Sequence, residues 1–143
     1  KQEIPKFLKA VIAIPDKAIS TKASRTALPS KVSMETAVFN LSHASMMTAA
    51  FVKGDFEMLR IAAKDRLHQE IRMKNLPELF NLQKTALESG ALMSTLSGSG
   101  STFFNMAYRC DARYLKKTLT QKYPQYRIEI LDFDNDGLTI NHH

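Results

Sequence analysis

Residues 96–104 read LSGSGSTFF, two glycines alternating with serines ahead of a threonine and two phenylalanines. On one side lies ALMSTL (residues 91–96) and on the other FFNMAY (residues 103–108). Both runs are short, apolar and bounded by turn-forming residues, so each reads as a strand. The loop therefore joins strand to strand, and Gly98 and Gly100 supply the positive φ or close backbone approach that such a connection needs. A phosphate-binding P-loop is a different object. It needs a lysine after its last glycine and a helix behind it. Here Gly100 is followed by Ser101 and a strand. Two readings stay open from the residues alone: a plain hairpin loop, or a loop packed against a ligand or a second glycine-rich segment.

The rest of the chain frames this hairpin. Residues 7–14 are apolar and β-branched, end at Pro15 and read as a buried strand. Residues 20–28 have helical character and stop before Pro29. Ser33 is a suitable N-cap for the longest helix, which carries apolar or small residues at Met34, Ala37, Val38, Leu41, Ala44, Thr48 and Phe51 and ends at Gly54. Asp55 can cap a shorter helix through Lys64. Pro77 opens another helix, which Gly90 closes. A helix over residues 111–122 and a strand over 127–133 complete the order. Without the extra helices this is βαββαβ. The expected fold is α+β, a ferredoxin-like split βαβ sheet with additional helices. Residues 1–143 form one domain, a size that supports a proper core.

Composition narrows the function classes. The chain is 44% hydrophobic and 24% charged, as in ordinary globular proteins. No apolar run reaches a membrane span, and no signal peptide is recognisable. The single Cys110 cannot form an internal disulfide, which suits a cytoplasmic location. The net charge of +6 is scattered over the chain, without a basic stripe interleaved with stacking aromatics. It reads as solvated faces, compatible with attraction for an anionic small substrate. The chain starts at Lys1 and reads as a fragment or a processed product. No chemistry is assigned to the terminal His142 and His143.

Several apparent motifs dissolve. Asp132, Asp134, Asp136 and Gly137 copy the opening of a calcium loop, but its twelfth position would be His143 rather than glutamate. A polar turn is expected there. His43 and His68 are too far apart in sequence to be a helical ligand pair, and each reads as structural or substrate-facing. Met46 and Met47 read as core filling. Ser99 has no histidine base in a recognisable nucleophile motif. Arg25 and Arg72 are harder to set aside. Arg25 follows Thr21 by four residues, on the same face of a helix. Arg72 closes DRLHQEIR, close after Asp65 and His68.

In order, ISTKASRTALP, AVFNLSH, DRLHQEIR and LSGSGSTFF resemble the C-terminal half of the homoserine kinase family, within the superfamily that also holds galactokinase, mevalonate kinase and phosphomevalonate kinase. The resemblance spans residues 11–140. The glycine loop alone points only to the superfamily, whereas S-T-x-x-x-R-x-x-L-P and D-x-x-H-x-x-x-R are specific to the family. Ser99 and Ser101 stand where the family usually has alanine and proline, and Glu70 stands where it usually has proline.

The resemblance implies a half-enzyme that helps move the γ-phosphoryl group of ATP to the hydroxyl of L-homoserine. It implies that Thr21, Arg25 and Arg72 bind substrate, with Asp65 and His68 in support. It makes Ser97, Gly98, Ser99 and Gly100 a supporting loop near the phosphate site, not the nucleotide cradle. That cradle, P-x-x-x-G-L-G-S-S-A in these kinases, belongs to an N-terminal ATP-binding domain and has no counterpart in this sequence. ATP and Mg2+ are expected in the full-length enzyme, and neither is expected to bind this half tightly. No metal ligand is expected in this chain, nor a nucleic-acid or membrane partner, and the homodimer is left open. Two alternatives remain: the C-terminal domain of another kinase of the superfamily, or a non-enzymatic ferredoxin-like binding module.

Overall fold

The first strand, β1 (Leu8–Pro15), runs through the middle of an antiparallel sheet and ends at its proline. The computed structural model describes residues 2–16 and 20–140. Lys1, residues 17–19 and residues 141–143 lie outside the described residues, so the readings on Lys1, His142 and His143 do too. After β1 come the helices α1 (Thr21–Thr26) and α2 (Met34–Lys53), a 3-10 turn (Phe56–Met58), and α3 (Leu59–Ala62), α4 (Gln69–Met73) and α5 (Glu78–Glu88). Then follow β2 (Ala91–Leu96), β3 (Phe103–Tyr108), α6 (Arg109–Lys122) and β4 (Tyr126–Leu131).

The strand order is β2-β3-β1-β4, and every neighbouring pair is antiparallel. Strand β3 lies between β1 and β2, and β1 lies between β3 and β4. Each strand–helix–strand unit is thus split by a strand from the other. This is the ferredoxin-like plan expected from the element order, with extra helices between β1 and β2.

Apolar residues cover both faces of the sheet. Leu79, Leu82 and Ala86 of α5 and Ala112, Leu115 and Leu119 of α6 pack with Val11, Phe103 and Ile128 on one face. On the other face Leu8, Leu92 and Met106 pack with Ala50 of α2, Phe56 and Leu59. The loop between β2 and β3 thus leaves a sheet that is packed on both faces.

The helix ends follow their caps. Ser33 accepts from the Thr36 amide at 3.1 Å, and Gly54 ends α2 in the left-handed region at φ 70°. On the apolar stripe of α2, Met34, Val38 and Leu41 are exposed, and of this helix only Ala50 is fully buried. Met47 and Phe51 pack partly against the second core cluster. The helix after Asp55 is a 3-10 turn running into a single α-turn that stops at Ala62. The last strand stops at Leu131, where Lys9 of β1 pairs with Asp132 and the polar turn begins. In that turn the Asp134 carboxylate accepts from the Asp136 amide at 2.8 Å.

Candidate functional site

Three sequence-distant segments meet at the glycine loop. The short helix α1 is tied to it from one side. Ser24 is fully buried, and its hydroxyl donates to the Ser99 carbonyl at 2.8 Å. The Thr21 and Ser99 hydroxyls lie 3.2 Å apart. The loop is closed internally: the Ser97 amide donates to the Thr102 carbonyl at 2.9 Å and the Gly100 amide to the Ser97 carbonyl at 3.1 Å. Gly98 and Gly100 have φ of 60° and 91°. A Cβ added to Gly98 would meet nothing within 4 Å among the described residues. Glycine is needed at Gly98 for its backbone conformation, not for space.

From the other side comes α4, an element that periodicity does not reveal because it is only five residues long. Asp65 organises its start. One carboxylate oxygen accepts the amides of His68 at 2.8 Å and Gln69 at 2.7 Å, and the other accepts from Asn40 Nδ2 at 2.6 Å. Burial acts to raise the Asp65 pKa, but the Gln69 and His68 amides, Asn40 and the His68 charge outweigh it and hold it below the ordinary carboxylate value. Gln69 is buried, and its Oε1 accepts from the Leu96 amide at 3.1 Å, which docks α4 onto the strand end that feeds the loop.

One turn beyond His68, Arg72 reaches the loop itself. Its Nη1 donates to the Gly98 carbonyl at 3.1 Å and lies 3.3 Å from His68 Nδ1. Because arginine only donates, this contact is a hydrogen bond when the imidazole is neutral and Nδ1 accepts, with the ring proton on Nε2. That nitrogen lies 3.8 Å from Asp65 Oδ1. The Nε of Arg72 is buried and has no hydrogen-bond partner among the described residues.

Thr21, Arg25, His68, Arg72, Leu96, Gly98 and Ser99 together line a cleft of about 480 Å³. Of the residues expected to form the site, Asp65 stands behind the cleft, while Ser97 and Gly100 shape the loop without lining it. Arg25 is exposed on α1. Another hollow, of about 380 Å³, lies behind Asp65 and Gln69. Two of its polar groups are taken up by the edge of β2: Arg60 donates to the Ala91 carbonyl at 2.7 Å and Gln83 to the Ser94 carbonyl at 2.8 Å. Among the described residues no group of three or more His, Cys, Asp or Glu is placed to hold a metal ion, and no helix is long and apolar enough to cross a membrane. His43 stacks on Phe39 at 3.8 Å between ring centroids, and its Nδ1 lies 2.7 Å from the Phe39 carbonyl, a structural arrangement.

Sequence reasoning missed Ser24, Asn40 and Gln69. Each contacts backbone or a neighbouring side chain rather than the cleft, so none carries a catalytic signature. Their common signal is a polar residue within a segment already singled out.

The model of the family "GHMP kinases C terminal" matches residues 47–125, more than half of the chain. A homoserine kinase from Helicobacter pylori is 59% identical over 140 residues, which is 98% of this chain and 48% of that protein. A homoserine kinase from a Nitratiruptor species is 57% identical over the same shares. The chain thus spans about half the length of the curated relatives it matches. The crystal structure of homoserine kinase from Cytophaga hutchinsonii superposes with a TM-score of 0.82 at 22% identity, over 92% of this chain and 42% of that one, and shares the fold. The family match, spanning α6 and the glycine loop with its flanking strands, shows that the chain belongs to the GHMP kinase C-terminal family.

Proposed function

We propose that this chain is the C-terminal, acceptor-binding half of a homoserine kinase. One observation carries the reading: Thr21 and Arg25 from α1, His68 at the start of α4 and Arg72 on its last turn, and Gly98 and Ser99 of the loop line a single cleft. The relatives named homoserine kinase, at 59% and 57% identity, agree with it.

In this reading Arg25 and Arg72 receive the substrate carboxylate. A guanidinium can donate two parallel hydrogen bonds to it. Thr21 stands near the reacting hydroxyl. His68 and Asp65 hold Arg72 and α4 in place. The loop forms the floor of the site, and its glycines allow the N-terminal domain to approach. ATP and Mg2+ would be held by that domain, and the metal, when bound, would supply neutralisation of charge on the phosphates. Residues 1–143 fold as one domain and do not catalyse alone. The full-length enzyme works in the cytoplasm.

The test is a substrate panel. The full-length enzyme containing this half is assayed with ATP, Mg2+ and either L-homoserine, mevalonate or galactose. Phosphorylation of the homoserine hydroxyl is expected, with none from the isolated 143-residue chain. Preference for mevalonate or galactose would overturn the reading.

A further inference from the structure

We infer that Asn40, on α2 and outside the cleft, is a positioning residue for the acceptor: it fixes the Asp65 carboxylate that in turn fixes the start of α4, and thereby His68 and Arg72. The inference rests on the functional reading above for what the cleft binds, but its geometry stands by itself.

Asn40 is committed at both ends of its amide. Nδ2 donates to Asp65 Oδ1 at 2.6 Å, and Oδ1 accepts from the Arg66 amide at 3.0 Å. It therefore clamps two consecutive residues of the segment between α3 and α4. Asp65 is 9% exposed at its side chain, so few other partners can reach it. Its second oxygen is spent on the His68 and Gln69 amides. Without Asn40, Oδ1 would keep, among the described residues, only His68 Nε2, at 3.8 Å, too long for a hydrogen bond. The carboxylate would then be free to turn, and the amides that begin α4 would lose their fixed acceptor. Arg72 lies on the last turn of this helix, and its contact with Gly98 depends on where the helix starts. Displacements of about 1 Å in groups that orient a substrate can cost about a hundredfold in rate.

The arrangement can be reversed chemically. With Asn40→Asp and Asp65→Asn together, the residue at position 65 still accepts both amides through its oxygen and donates its NH2 to the carboxylate at position 40. That carboxylate still accepts from Arg66. With Asn40→Asp alone, two carboxylates face each other. With Asp65→Asn alone, two amides compete for one orientation.

The experiment compares the full-length wild-type enzyme with Asn40→Ala, both single exchanges and the swapped pair. Steady-state kinetics are measured with L-homoserine and ATP, alongside thermal melts and hydrogen exchange of the His68 and Gln69 amides. Asn40→Ala is expected to raise the homoserine KM roughly tenfold or more, leave the ATP KM unchanged and speed exchange of the two amides. The swapped pair is expected to recover most of that loss. A homoserine KM unchanged in Asn40→Ala, or a swapped pair no better than the worse single variant, would overturn the inference. If the wild-type enzyme does not phosphorylate homoserine, the functional reading falls instead. Amide exchange then decides: faster exchange in Asn40→Ala upholds the positioning role, and unchanged exchange removes it.

Discussion

Arg72 donates from Nη1 to the carbonyl of Gly98, 3.1 Å away, so a side chain that lines the cleft also holds the first glycine of the loop beneath it. The same nitrogen lies 3.3 Å from His68, and the Nε has no partner among the described residues. A lysine carries the charge but only a single ammonium, and it cannot reproduce a planar fork that serves several acceptors. In the full-length enzyme Arg72→Lys should therefore lose at least tenfold in homoserine kcat/KM, or about 1.4 kcal/mol, close to the loss in Arg72→Ala. Kinetics on the two variants check this. A lysine enzyme with wild-type kcat/KM would mean that charge alone suffices.

The glycine loop should act through its backbone. Gly98 and Gly100 both have positive φ, and a Cβ at Gly98 meets open space, so Gly98→Ala adds backbone strain and little else. Gly98→Ala and Gly100→Val should each lower stability by roughly 1–3 kcal/mol and reduce activity. Ser99→Ala loses only the exposed contact with Thr21 and should change stability by less than about 0.5 kcal/mol. Denaturant unfolding and turnover on the three variants separate the cases. Abolished activity in Ser99→Ala with an intact Gly100→Val would make the hydroxyl the working group.

Asp65 predicts an acid-sensitive component of stability. Its folded pKa lies below the ordinary value, because hydrogen bonds to the carboxylate outweigh burial. Between the folded and unfolded values the unfolded chain binds more protons. The stabilisation is thus complete above the ordinary carboxylate range and is lost as pH falls through the folded value. The stability gap between wild type and Asp65→Asn should be constant from about pH 7 to pH 5 and shrink below about pH 4. Denaturant unfolding against pH measures it. A gap that widens toward acid would contradict the assignment.

The sheet interior holds a second polar device. Asn105 is fully buried on β3, donates to the Val11 carbonyl on β1 at 2.8 Å and accepts from the Ser94 hydroxyl on β2 at 2.6 Å. Asn105→Leu strands the Ser94 hydroxyl and should cost on the order of 1–3 kcal/mol for that group alone. Adding Ser94→Ala removes the orphan, so the double variant should be more stable than the two single costs predict. Additive losses in denaturant unfolding would show that the two side chains do not act together.

How far the sequence could be read depended on what each pattern reports. The strands around the loop were legible to the residue, because glycine punctuation and short apolar runs act locally. Ser33, Gly54 and Gly90 marked helix ends for the same reason. The apolar stripe located α2 but not its burial: periodicity shows that a helix has an apolar face, not that this chain covers it, and Met34, Val38 and Leu41 stay exposed. Helix α4 was illegible at five residues, its start set by a carboxylate three and four positions upstream of the amides it binds. The arginines, Thr21 and the loop were singled out through their motifs, and Thr21, Arg25, Arg72, Gly98 and Ser99 share one cleft. Ser24, Asn40 and Gln69 were not, because they act through hydrogen bonds that exist only once the segments meet.

The central claim is that the cleft holds the carboxylate of the acceptor through Arg25 and Arg72. The most direct measurement compares kcat/KM for L-homoserine with that for its analogue whose carboxylate is reduced to an alcohol, in the full-length wild-type enzyme and in Arg25→Ala and Arg72→Ala. The wild type should prefer homoserine by at least about tenfold, and each alanine variant should lose most of that preference while keeping the ATP KM. A preference that survives in both variants would mean that the carboxylate is bound elsewhere, and the assignment of this cleft would be wrong.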